Sequence, residues 1–122
     1  MNKIQALNQF WNVFASGEDW KAYDATSVPE TASDKRITYE ATSDEFGYPV
    51  AQTASLWDKS TSWEDITLKE MEISDYIGRG GLMIMYDDGA MWIKKATPWA
   101  QRLPDEENIK RIVLNIEVEF ID

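Results

Sequence analysis

The stretch IKRIVLNIEVEF, Ile109 to Phe120, decides the fold. Ile112, Leu114, Ile116, Val118 and Phe120 alternate there with Arg111, Val113, Asn115, Glu117 and Glu119. Successive side chains of a strand point to opposite faces, so this period of two predicts a strand with one core face and one mostly polar face. Upstream, Leu82 to Tyr86 and Ala90 to Lys94 flank Asp87, Asp88 and Gly89, and Asp-Gly between two apolar runs is a strong hairpin signal. The run GRGG, Gly78 to Gly81, stops a preceding helix, with Arg79 placed where a cation suits the carbonyl end. That helix carries Trp63, Ile66, Ile73 and Ile77 on one face, interrupted by Glu70. Its start fits a capping box, from Thr61 to Glu64 or equally from Ser62 to Asp65.

The first half reads the same way. Ile4, Leu7, Phe10, Trp11 and Phe14 sit at helical spacing and predict a helix over 4–15, ended by Gly17. Residues 18–35 lack periodicity and read as a long loop, with Trp20 and Tyr23 either anchoring it or meeting a partner. Arg36 to Thr42 alternates as a strand, Ser43 to Pro49 is turn-rich, and Val50 to Trp57 returns as a second strand. The expected architecture is a single α+β domain over 1–122, in the order α-β-β-α-β-β-β. Two helices pack on a mostly antiparallel sheet of about five strands.

Composition narrows the function. With 122 residues the chain can build one core without staples. It has no cysteine and no histidine, which removes disulfides, thiolate metal sites, the commonest general base and the commonest pH switch. Twenty-two acidic against 12 basic residues give a net charge of -10. Such a surface repels nucleic-acid phosphates and anionic membranes. It favours solubility and a basic partner. No apolar run is long enough to span a bilayer, and the N-terminal segment lacks the continuous apolar core of a signal peptide, so an intracellular protein is expected.

Catalytic constellations are weak. Nucleophilic catalysis needs an activating base, and nothing in the sequence context of Lys59, Lys94 or Lys95 supports a Ser–Lys pair. Asp87 with Asp88 belongs to a turn, Glu117 with Glu119 to the polar face of a strand, and Asp105, Glu106 and Glu107 to a loop. None matches a calcium loop, and the GRGG run sits at the wrong helix end for a phosphate. No cofactor or metal is expected. The aromatic load stands out instead, with six Trp, five Tyr and four Phe. Trp and Tyr are enriched at interfaces, so Trp57, Trp63, Trp92 and Trp99 suggest assembly beyond what one core needs.

These stretches together resemble the small tail terminator proteins of long-tailed bacteriophages, also called tail-completion or tail-to-head joining proteins. The resemblance is carried by KIQALNQFW (Lys3–Trp11), RITYE (Arg36–Glu40), ASLWDKSTSWEDI (Ala54–Ile66), IGRGG (Ile77–Gly81), MWIKKATPWAQR (Met91–Arg102) and IKRIVLNIEVEF. It keeps their order over most of the chain and is weakest over 17–35. It implies a structural virion protein, assembled in the host cytoplasm, at the head-proximal end of the tail. Such proteins form a ring, usually of six subunits, that caps the tail tube, stops its polymerisation and offers a face to the head connector. DNA passes through the lumen, and in contractile tails a related ring meets the sheath. On that reading the subunit or tube interface draws on Phe10, Trp11, Phe14, Trp57, Trp63, Met83, Met85, Trp92 and Trp99. Glu117, Glu119, Asp105, Glu106 and Glu107 would face the lumen, where a negative wall lets DNA slide. Two other roles suit the same residues: a neck or head-completion protein of the same virion, and an acidic inhibitor that mimics DNA towards a basic enzyme.

Overall fold

In the computed structural model, which describes residues 1–15, 19–40, 49–104 and 108–121, the final alternation becomes a strand. Ile112, Leu114, Ile116, Val118 and Phe120 are buried, while the residues between them are half-exposed on the opposite face. The elements are α1 (Lys3–Asn12) with a 3₁₀ turn (Val13–Ala15), β1 (Lys21–Asp24), β2 (Arg36–Tyr39), β3 (Pro49–Lys59), α2 (Glu64–Ile77), β4 (Leu82–Tyr86), β5 (Gly89–Pro104) and β6 (Ile109–Ile121). They form one six-stranded sheet in the order β1-β2-β3-β6-β5-β4. The class is α+β, as the alternation implies. The sheet has six strands and is mixed, because β1 pairs with β2 in parallel while the other pairs are antiparallel.

The extra strand lies inside the expected loop. Lys21 to Asp24 is only four residues long, too short for a period to show, and its partner begins fifteen residues later. Trp20 is buried just before it and anchors the segment to the core, whereas the Tyr23 hydroxyl accepts from the Ser33 N–H at 3.4 Å within the segment itself. β5 also runs further than the apolar pattern suggests. Its register against β6 shifts between Lys95 and Ala100, a bulge that holds a cis Thr97-Pro98 bond. At the β4–β5 turn, Tyr86 pairs with Gly89, so Asp87 and Asp88 form the two-residue loop and Gly89 already belongs to the strand.

Helix ends differ from expectation. Asn2 caps α1 in a reciprocal box: its Oδ1 accepts from Gln5 N at 2.8 Å, and Gln5 Oε1 accepts from Asn2 N at 2.9 Å. Neither capping box expected for α2 closes. Its N-cap is Trp63, with no side-chain bond, and Ser62 Oγ instead accepts from Glu64 N at 3.1 Å. Glu64 and Asp65 still suit the positive end of the helix dipole. At the other end Gly78 and Gly81 both adopt positive φ, at 77° and 91°. Gly17, Ala41, Thr42 and most of the 43–49 turn lie outside the described residues.

Both helices bury their apolar faces on the same side of the sheet. Leu7, Phe10, Trp11 and Phe14 join Ile66, Ile73 and Ile77 over Ile37, Leu56, Met91, Ile93 and the inward row of β6. Trp11 stacks on Tyr39 with ring centres 5.8 Å apart, and Phe10 and Phe14 meet edge to face at 5.3 Å. Among the described residues, no helix lies on the sheet's other face.

Candidate functional site

That uncovered face is built by strand alternation. Arg36, Trp57 and Arg111 lie side by side across β2, β3 and β6. Arg36 stacks on one part of the Trp57 ring at 5.2 Å and Arg111 at 4.5 Å, while Trp57 Nε1 donates to Thr38 Oγ1 at 3.0 Å. Arg111 also donates to Ser55 Oγ through Nε and Nη2, at 3.2 and 3.1 Å. Further along β6 the same face carries Glu117 opposite Lys94, and Glu119 opposite Trp92. The face is therefore basic at one end, with Arg36 and Arg111, and carries Glu117 and Glu119 beside Lys94 at the other.

Placing each interface candidate changes its meaning. Phe10, Trp11 and Phe14 are enclosed in the subunit's own core, with Trp11 1% exposed, so they offer no surface to a partner. Trp57, Trp63, Trp92 and Trp99 are half-exposed. Met83 and Met85 project from β4 and are 50% and 69% exposed. Glu117 and Glu119 share one face of β6, as the alternation predicts; Asp105, Glu106 and Glu107 lie outside the described residues.

The tryptophan surplus has an internal explanation that sequence reasoning missed. Trp20 lies under Lys35 and Lys69, Trp57 under Arg36 and Arg111, and Trp63 under Arg102 and Lys110. Trp92 lies under Lys94, and Trp99 under Lys95. Eight of the 12 basic residues thus sit on indole rings. Each such contact is worth about 0.5–1 kcal/mol at an exposed site, so the rings hold local structure as well as surface. The sole cue in the sequence was the recurrence of Trp near Lys or Arg, as in MWIKK and TPWAQR.

One groove, of about 530 Å³, opens where the C-terminal end of α2 meets the β5 bulge. Ser74, Arg79, Lys94, Lys95, Thr97 and Trp99 are among its lining. Lys95 Nζ donates to Ser74 Oγ at 2.9 Å, and Trp99 Nε1 donates to Glu70 Oε1 at 3.0 Å. The second bond explains why Glu70 interrupts the apolar face of α2. The first brings together a hydroxyl and an amine that no spacing pairs. Among the described residues, no group of three or more acidic side chains is placed to hold a metal. No described helix is long and apolar enough to cross a membrane.

No protein-family model and no curated protein matches the chain.

Proposed function

We propose that the protein is a ring-forming structural protein of a long-tailed phage, seated on the end of the tail tube, where it stops polymerisation and joins the tail to the head connector. The observation that carries this reading is the one-sided sheet: both helices cover one face, and the other, with Glu117 and Glu119 on it, is left bare. Repeated around an axis, such a subunit turns its helices outward and a continuous sheet wall inward. An acidic stretch of that wall would keep DNA phosphates from sticking as the duplex passes. The net charge of -10 agrees with a passage and not with a DNA grip. The contacts that close such a ring are heterologous, with two different patches per subunit.

The test is assembly with the tail tube protein encoded beside it. Purified tube protein is polymerised with and without this chain, and tube lengths are measured by negative-stain microscopy. Shortened tubes carrying a ring at one end are expected. Tubes of unchanged length, together with binding to the connector alone, would move the protein to the neck of the virion. Tight binding to a basic enzyme, with no effect on tubes, would make it an acidic inhibitor.

A further inference from the structure

β4 is an edge strand, with β5 on one side and, among the described residues, no strand on the other. Proteins usually blunt such edges with charge. β1, the opposite edge, carries Lys21 and Asp24 within its four residues. β4 reads LMIMY and carries none, in a chain where 34 of 122 residues are charged (12 basic and 22 acidic). Met83 and Met85 stand out from it as two of the most exposed large apolar side chains. Ile121 is exposed as well, and its register partner Ala90 is also that of Met85, which extends the apolar surface around the hairpin.

Charge returns beyond both ends of the strand, with opposite sign. Arg79 precedes it and Asp87 and Asp88 follow it. Asp87 is held by the N-terminal ammonium, whereas Arg79 and Asp88 make no ion pair with a described residue. Two copies of β4 laid antiparallel about Ile84 would set Met83 against Met85 of the other copy. The same alignment brings Arg79 of each copy to the Asp88 end of the other. A parallel alignment would oppose arginine with arginine and aspartate with aspartate. We infer that β4 is a self-complementary docking edge, and that two copies of the free protein pair through it as a two-fold dimer.

The inference goes beyond the ring reading and does not rest on it, because an isologous contact closes on itself and cannot propagate around a ring. The pairing extends the bare sheet face, on which Met83 lies beside Trp92, and does not cover it. A five-residue edge is small, so the dimer is weak and forms by mass action. In the ring reading it would mask the one uncharged edge until a tube end is met, which restrains free subunits from adding to one another at random.

The absence of native cysteine makes a direct test clean. Full-length Met83→Cys and Met85→Cys proteins are prepared separately, then oxidised alone and as a mixture. The antiparallel register predicts a disulfide-linked heterodimer in the mixture that clearly exceeds either homodimer. Sedimentation of the unmodified chain should show mass rising from 14.1 kDa towards twice that value with concentration. Met85→Lys, at an exposed position, should hold it at the monomer. Arg79→Glu should weaken the dimer and Arg79→Glu with Asp88→Arg should restore it. A monomer at all concentrations, or a dimer indifferent to Met85→Lys, would overturn the inference. Cross-linking that favours each homodimer over the mixture would overturn it too.

Discussion

Lys35 Nζ lies 3.1 Å from Asp58 at the end of β3 and 2.9 Å from Asp65 in the first turn of α2, so one ammonium ties the sheet to the helix. Asp58 is 2% exposed, and Trp20 lies 5.6 Å below the same ammonium. The sequence gives the three charged residues no common pattern; only the fold collects them.

Lys35→Met should therefore be among the costliest polar substitutions. It leaves Asp58 buried without its cation, a change worth about 3 kcal/mol or more. Asp65→Asn breaks the exposed half of the same bridge and should cost under about 1 kcal/mol. Urea unfolding monitored by Trp fluorescence checks both. Equal small losses would show that Asp58 finds another partner.

The same group sets an alkaline limit on stability. Burial pulls the Lys35 ammonium down, but Asp65 and Asp58 outweigh it, and its pKa lies above the usual 10.5. Burial, helped by the charge of Asp24, also raises the Tyr39 phenol above the usual 10.0. Both folded-state values exceed the unfolded ones. The stability they contribute is thus fully present below pH 10 and is lost as pH rises through the folded values. Thermal melts should be flat in this respect from pH 7 to 9 and fall steeply above about pH 10. Lys35→Met should have a shallower alkaline fall, while its melting point at neutral pH is already lower.

Long periodic elements were legible in the sequence, and short or composite ones were not. The β6 alternation, the α2 face and the β4–β5 hairpin follow from spacing alone, because each repeats its period several times. β1 escaped because four residues carry no period, and because its parallel partner follows a loop instead of a tight turn. The bulge in β5 broke the alternation that would have extended that strand to Pro104. At the site level, Glu117 and Glu119 were placed on one face correctly. The resemblance assigns Phe10, Trp11 and Phe14 to an interface, yet they are enclosed in the core, a depth that is invisible in a linear pattern. The indole–cation pairs were missed for the related reason that most of them join different elements, as Trp63 does with Arg102 and Lys110.

Adjacent glycines in the GRGG run should respond oppositely to alanine. A Cβ on Gly81 would meet Trp92 Nε1 at 2.5 Å, the Ile93 carbonyl oxygen at 2.8 Å and Lys94 Cγ at 2.8 Å. Its φ of +91° adds strain, so Gly81→Ala should cost about 1–3 kcal/mol or more. It should also disturb the bond from Trp92 Nε1 to the Gly80 carbonyl, 3.0 Å long. At Gly80 nothing lies within 4 Å of an added Cβ and φ is not positive, so Gly80→Ala should be neutral or slightly stabilising. Melting temperatures of the two variants, measured side by side, decide the point.

Ser74 and Lys95 allow the strongest challenge to a purely structural role, because they are within 2.9 Å in a groove. If the contact only fastens β5 to α2, a fluorophosphonate should not label the protein above the background of an ordinary serine. Ser74→Ala should then lower stability by about 1 kcal/mol, the net worth of one hydrogen bond, and leave tube capping unchanged. Lys95→Met should behave alike while keeping the aliphatic stem over Trp99. Stoichiometric labelling that vanishes in both variants would instead establish an activated hydroxyl. The groove, with Arg79 and Lys94 as its cationic rim, would then be read as the pocket for an acidic substrate.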